Sequence, residues 1–419
     1  MNQQFTADIH EQPLKPGTSR QPRVGITLTA LSLGRSSINS IAYQGDSSSP
    51  SVGVLTTYAP TICGLSSFSA SLCDGMEASG AKVQVVRIAD GEPSEDPRVV
   101  GELTAGSSSS IAACADTLNR CDVAVIQHDV GIYGGTDGAD LVEVMRALRV
   151  PAIVVAHAVP RIPTPEQRAV FETILDLADQ VVVMTDTAGE RLQTEYVVHR
   201  RKVTTIAHGA TIPAAAQVKR GGRPTLLTWG LLRPGKGVER VIESMVALKD
   251  LRGQPRYVIA GPTHPRTLAA EGEAYREALK QQVIDSGLTG TVLFAPDYRS
   301  RASIAALIQS CAAVVLPYDV TDQVTSGVLV ESVANGRPVI ATAFPHAVDV
   351  LGSGAGIVVA HDRPDALTAA LRQVLTDPRS SGAMAAEGRR LAPTMLWPAV
   401  SKSYLILAQR LVLERRSMA

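Results

Sequence analysis

Leu226-Leu-Thr-Trp-Gly-Leu-Leu-Arg-Pro-Gly-Lys-Gly237 holds the decision about the fold in one short stretch. Leu226–Trp229 is a mostly apolar run, the mark of a strand buried on both faces. A glycine-rich turn follows, and Gly237–Leu248 then repeats apolar residues at helical spacing. Strand, turn and helix in that order form the unit of a parallel sheet, because parallel neighbours need a crossover.

The rhythm extends in both directions. Upstream, Val52–Thr56, Val83–Ile88, Val123–Gln127, Ala152–Ala156, Val181–Met184 and Val203–Ile206 read as strands. Ser66–Ser79, Ile111–Asn119, Leu141–Leu148, Thr164–Leu177 and Ala188–Tyr196 read as the helices between them. Thr164 is an N-cap, with Pro165 at the first helical position. Downstream, strands are expected at Tyr257–Ala260, Val292–Phe294, Ala313–Leu316, Pro338–Ala341 and Ile357–Val359. Helices are expected at Glu273–Ile284, Arg301–Ser310, Gly327–Asn335 and Pro364–Leu375. The fold class is therefore α/β: two tandem doubly wound, Rossmann-like parallel-sheet domains. Ligand is expected in the cleft at the carboxyl ends of their strands.

Composition sets the boundaries. Residues 1–50 are polar and rich in Ser, Gly and Asn near their end, and read as a poorly ordered tail. The first domain is 51–210 and the second 225–392, joined by a small, Gly-rich linker at 211–224. Residues 393–419 read as an amphipathic terminal helix carrying Leu405, Leu407, Leu411 and Leu413.

Lys plus Arg and Asp plus Glu both number 40, so the formal charge is zero. That balance argues against a chain that coats nucleic acid or an anionic membrane. Aromatic residues are only 4%, poor material for a stacking surface. No apolar run approaches the ~20 residues of a membrane span. Met1–Arg23 lacks the basic-then-apolar order of a secretory signal. A cytoplasmic protein is expected. Cys63, Cys73, Cys114, Cys121 and Cys311 are odd in number and form no C-x-x-C pair, which suits a reducing compartment and offers no zinc site. Arg410, Arg415 and Arg416 on the terminal helix leave a peripheral membrane contact open.

Four segments carry chemistry. In Gly230–Gly237, a glycine turn at a helix N-terminus exposes backbone N–H groups, and Arg233 and Lys236 add two cations; together they suit a diphosphate. The segment also fits G-x-x-x-x-G-K, but Gly237 stands where a P-loop needs Ser or Thr for magnesium. In Asp322–Glu331, Thr325, Ser326 and Gly327 open a helix, with capping hydroxyls and a glycine that admits a ligand. Glu331 follows, a carboxylate able to accept hydroxyl hydrogens from a ribose. In Val54–Ser67, the loop with Pro60, Cys63 and Gly64 leaves the first strand toward the cleft. Last, His128 and His157 lie just past neighbouring strands, and His208 near the end of the last strand of the first domain. No D-x-D triplet offers a home for a metal-bound nucleotide sugar.

Taken together, these segments resemble the retaining GT-B glycosyltransferases of family 4, the group 1 glycosyltransferases, from about Val52 to Tyr404. The strongest match is Thr325-Ser-Gly-Val-Leu-Val-Glu-Ser-Val-Ala-Asn-Gly-Arg-Pro-Val-Ile-Ala341, which contains the family's G-x-P-V-[IV]-A as Gly336–Ala341. The family also carries two glutamates with seven residues between them. The second matches Glu331, and the resemblance implies that it holds the donor ribose. The first is Gln323 here, a departure at the usual contact to the donor sugar. Arg233 and Lys236 match the pair on the donor diphosphate, Gly64 the glycine of the first-domain loop, and His157 the histidine near the transferring sugar. Trp397–Tyr404 matches the helix that crosses back to the first domain.

The resemblance implies a hexosyltransferase that takes a UDP- or GDP-type sugar and a sugar or glycan acceptor, retains anomeric configuration, and needs neither metal nor cofactor. Its donor set would be Gly64, Gly230, Arg233, Lys236, Gln323, Thr325, Ser326, Gly327 and Glu331. His157, Arg233 and Lys236 would take part in the transfer, with Cys63 and His128 on the acceptor side. Two other readings stay open: a degenerate transferase that binds a nucleotide sugar without turnover, favoured by Gln323, and a nucleotide-sugar epimerase on the same fold.

Overall fold

A computed structural model describes residues 49–212, 222–297 and 300–418. The tail expected at 1–50 lies almost entirely outside these residues, as does most of the expected linker.

The first domain runs β1 (Val52–Thr56), α1 (Gly64–Ala78), β2 (Val83–Ile88), β3 (Val99–Leu103), α2 (Ser108–Leu118), β4 (Val123–His128), α3 (Ala139–Arg146), β5 (Ala152–Ala156), α4 (Pro165–Leu177), β6 (Gln180–Val183), α5 (Asp186–Glu195) and β7 (Val203–Thr205). Its seven strands are all parallel, in the order β3-β2-β1-β4-β5-β6-β7. The second domain runs β8 (Thr225–Trp229), α6 (Val238–Val246), β9 (Arg256–Ala260), α7 (Pro265–Glu271), α8 (Ala274–Asp285), β10 (Val292–Ala295), α9 (Arg301–Ser310), β11 (Ala313–Leu316), α10 (Gly327–Ala334), β12 (Val339–Thr342), α11 (Pro345–Leu351), β13 (Gly356–Val359), α12 (Pro364–Thr376) and α13 (Pro378–Met395). Its six strands, also parallel, lie in the order β10-β9-β8-β11-β12-β13. The architecture is the expected one, two Rossmann-like sheets in tandem.

Each strand order reverses once, between β1 and β4 and between β8 and β11. At such a point the crossovers leave in opposite directions and open a crevice at the strands' carboxyl ends. Both faces of each sheet are covered, which is why β1, β5 and β11 are buried at every residue.

Four elements depart from the sequence reading, which placed none of them. β3 is half-exposed and contains Gly101, so its apolar signal is weak. α7 and α11 are only seven residues long, each opened by a proline. α13 keeps Pro393 inside it.

The expected single stretch from residue 393 is in fact two helices. Leu396 is extended between α13 and α14 (Trp397–Met418). Backbone bonds pin the break: Ala210 N–H donates to Met395 O at 2.6 Å, and Trp397 N–H donates to Ala210 O at 3.3 Å. From there α14 lies on α1. Trp397, Val400, Tyr404, Leu405, Leu407, Ala408 and Leu411 join a core with Val52, Phe68, Leu72 and Met76. Each large apolar side chain buried there contributes about 1.5–3 kcal/mol, so α14 belongs to the first domain energetically although the second precedes it in sequence.

Candidate functional site

The second-domain half of the site forms where β8, β11 and α10 converge. After β8 the chain turns through Gly230, Gly235 and Gly237, all at positive φ. At Gly237 glycine is required twice, because φ is 62° and a Cβ would collide with the Pro317 carbonyl. That close approach brings the Arg233–Lys236 turn onto the chain leaving β11. Lys236 Nζ sits 3.9 Å from the centre of the Tyr318 ring, a cation–π contact. Burial, and then the neighbouring Arg233 charge, push the Lys236 ammonium down to about 7. A cation held so unfavourably is one that an anion would stabilise.

Ser326 caps α10, its Oγ accepting the Leu329 amide at 3.3 Å. Its own amide donates to Nδ1 of His346, a residue only 2% exposed, at 2.7 Å. Gly327 faces His208: a Cβ there would stand 2.8 Å from His208 Nε2. Thr325 Oγ1 is buried without a partner among the described residues. Gln323 Nε2 donates to the Thr325 carbonyl at 2.7 Å, and the Gln323 carbonyl accepts the His346 amide at 3.2 Å. The Gln323 side chain therefore shapes the loop from within. Glu331 Oε2 accepts the Thr211 amide at 3.0 Å, which ties α10 to the segment leaving the first domain. Burial raises the Glu331 carboxyl to about 7 against the lowering effect of that bond.

The first domain supplies the facing wall. Cys63 is half-buried and caps α1, its Sγ accepting the Ser66 amide at 3.3 Å. Gly64, the first residue of α1, has open space where a side chain would project, so a ligand can reach that helix end. His157 Nε2 lies 2.7 Å from Gln127 Oε1, and Phe68 meets the rings of His157, His208 and Trp397 edge-on at 4.8, 5.0 and 5.1 Å. His128 is taken out of the cleft wall: it is 8% exposed and stacks on Phe171 in the domain core. Burial lowers all of these imidazoles, His128 and His208 to about 4 and His157 and His346 to about 3.

The two walls touch. His157, Ala158, Val159 and Pro160 face Asp322, Gln323, Val324 and Thr325 across a cavity of about 100 Å³. Arg191, 9% exposed, pairs with Asp322 at 2.5 Å and donates to the Val159 carbonyl at 2.9 Å. Thr185 donates to the Val324 carbonyl, and Thr187 bonds Asp349 at 2.8 Å. Arg266 donates to the Gly131 carbonyl at 2.9 Å, and Arg301 bonds Asp74 at 2.8 Å.

The structure thus brings Gly64, His157, Gly230, Arg233, Lys236, Gln323, Thr325, Ser326, Gly327 and Glu331 to the two facing switch points. The sequence reading did not single out Tyr318, His346, Arg191 or Asp322's partner role. His346 carries the same signal as His128 and His157, a histidine just past a buried strand. Arg191 gives no local signal, since its partner is over a hundred residues away. Among the described residues, no three metal-ligating side chains converge. No helix among them is long and apolar enough to cross a membrane.

Comparison places the second domain. Residues 213–391 match the family model of the glycosyl transferases group 1. No curated protein matches the chain. Among solved structures, the chain is similar to sucrose-phosphate synthase from Thermosynechococcus elongatus (TM-score 0.65, 16% identity, covering 87% of this chain and 99% of that one). It is also similar to Anabaena HepE in complex with UDP and glucose (TM-score 0.66, 15% identity, 86% and 100%). A glycosyltransferase from Rickettsia africae aligns with a TM-score of 0.70 at 13% identity, over 86% and 98%. At these identities the likenesses establish the fold, the GT-B arrangement of two Rossmann-like domains.

Proposed function

We propose that the protein transfers a hexose from a nucleoside-diphosphate sugar to an acceptor hydroxyl, with retention of anomeric configuration and without metal or cofactor. The observation that carries this reading is the group 1 match on the domain that presents Arg233, Lys236 and the N-terminus of α10 at its switch point. Those groups offer two cations and free backbone amides to a diphosphate that gains charge as the sugar departs. Glu331 Oε1, which has no partner among the described residues, takes a ribose hydroxyl. The acceptor lies toward Cys63, Gly64 and His157, and attacks from the face the diphosphate leaves.

The cavity of about 100 Å³ is below the roughly 300–1,000 Å³ of small-molecule sites. The domains therefore part to admit the donor and close to exclude water. The thiols of Cys63, Cys73, Cys114 and Cys121 support a cytoplasmic setting, with substrates that are a sugar nucleotide and a sugar or glycan.

Calorimetric titration with UDP, GDP and ADP and their glucose and mannose conjugates, without metal, tests the reading. Binding of one nucleotide series, lost in Lys236→Ala, is expected. Binding of none refutes the donor site. One observation favours a second reading: Gln323 replaces the expected glutamate and is engaged with the Thr325 carbonyl. A degenerate transferase would bind the sugar nucleotide yet release no nucleoside diphosphate with any acceptor offered.

A further inference from the structure

Two histidines meet the Ser326–Gly327 step at the start of α10, and they are wired in opposite senses. His346 Nδ1 accepts the Ser326 amide at 2.7 Å. An amide only donates, so this nitrogen carries no hydrogen, and protonating it breaks the bond. His208 Nδ1 lies 2.6 Å from the Gly209 carbonyl. A carbonyl only accepts, so Nδ1 bears the hydrogen and Nε2 keeps the lone pair. That lone pair stands against Gly327, where a Cβ would come within 2.8 Å, and Nε2 has no hydrogen-bond partner among the described residues. His208 can therefore accept a proton at Nε2 without losing its existing bond.

The surroundings explain why it holds none without ligand. The ring meets Phe68 at 5.0 Å and Trp397 at 5.9 Å, and the titratable groups facing it are the imidazoles of His157 and His346. Glu331 lies a turn further along α10, committed to the Thr211 amide. Among the described residues no anion stands beside Nε2, and burial holds the imidazole down to about 4.

We propose that binding of a sugar nucleotide is coupled to uptake of one proton by His208, whose Nε2–H then donates to the diphosphate at the start of α10. This rests on the donor site proposed above. An anion within about 4–6 Å favours the charged form of a histidine by roughly 1–3 pH units, and the upper part of that range carries it past 5.5. The bond formed is charge-assisted, and the existing Nδ1–H bond to Gly209 stabilises the same cation.

The test is calorimetry at pH 5.5 in buffers of different ionisation enthalpy, with whichever of UDP-glucose, GDP-mannose and ADP-glucose binds. These diphosphate diesters do not themselves titrate near that pH. Lys236 is already protonated there, so its response to the ligand adds little. Wild type is expected to take up most of one proton. His208→Gln, which keeps an N–H near the Nε2 position but cannot titrate, is expected to bind several-fold more weakly with that uptake gone. Subtracting the two removes any contribution of Glu331. Equal uptake in both proteins overturns the proposal, as does uptake that persists in His208→Gln and vanishes in His157→Asn. Wild-type affinity gives a check free of mutation: it should tighten several-fold, by up to about tenfold, from pH 6 to pH 5. A flat profile in a protein that does bind overturns the coupling alone, whereas binding by none of the three removes the donor-site reading with it.

Discussion

Replacing Lys236 with methionine should make the unliganded protein more stable and the enzyme far worse. The ammonium sits over the Tyr318 ring, and burial together with Arg233 lowers it from 10.5 to about 7. Taken at face value, that fall corresponds to roughly 5 kcal/mol against the charged form. The side chain is only half-buried and keeps its contact with the ring face, so a discounted figure of about 1–2 kcal/mol is appropriate. The sign follows from proton counts. Between pH 7 and 10.5 the unfolded chain binds a proton at this lysine that the folded chain does not, so stability rises with pH across that window. Methionine keeps the apolar stem over Tyr318 and removes the charge. Urea denaturation at pH 7 should therefore show Lys236→Met more stable by about 1–2 kcal/mol, with less of the rise toward pH 9.5. With donor and acceptor present, the same variant should lose about 2–4 kcal/mol of transition-state stabilisation, or roughly 30- to 1,000-fold in kcat/KM. A variant that is less stable than wild type and still turns over normally would refute both halves, because Lys236 would then be a structural cation rather than one held for an anion.

Three further outcomes follow from the hydrogen bonds of the cleft. Gln323→Glu removes the donor to the Thr325 carbonyl and sets a carboxylate against it, so donor affinity should fall by about 1–2 kcal/mol; calorimetry showing tighter binding would mean that the glutamine is a loss rather than an adaptation. His346→Leu leaves the buried Ser326 amide unpaired and should cost about 1–3 kcal/mol in thermal stability, while His346→Asn, whose Oδ1 can replace Nδ1, should recover part of it. Arg191→Met breaks the pair with Asp322 and the bond to the Val159 carbonyl, so small-angle scattering of the unliganded protein should show a larger radius of gyration than wild type.

The distribution of legible and hidden features has a physical cause. The fold could be read because parallel strands are buried on both faces, and Val52–Thr56, Ala152–Ala156 and Ala313–Leu316 advertise that burial in consecutive residues. Half-exposed β3 and the seven-residue α7 and α11 advertise little, since each presents too few periodic positions. The residues assigned to the proposed donor site could be read for a related reason. A turn that must expose amides to an anion needs glycines and cations within a few residues, and Gly230–Gly237 has both.

What could not be read is what the two domains do to each other. Arg191 lies on α5 and its carboxylate partner, Asp322, precedes α10. His208 follows β7, yet a Cβ at residue 327 would stand 2.8 Å from its Nε2. Those contacts join residues more than a hundred positions apart, so neither local composition nor local periodicity encodes them. The same fact gives them meaning. On the domain closure proposed above, a side chain whose environment both domains supply changes its burial as the cleft opens, and the imidazoles of His157, His208 and His346 are lowered by burial here. Burial in this arrangement favours their neutral forms. On the reading proposed above, a diphosphate held against Nε2 of His208 supplies the anion that this burial leaves out, and so favours the charged form.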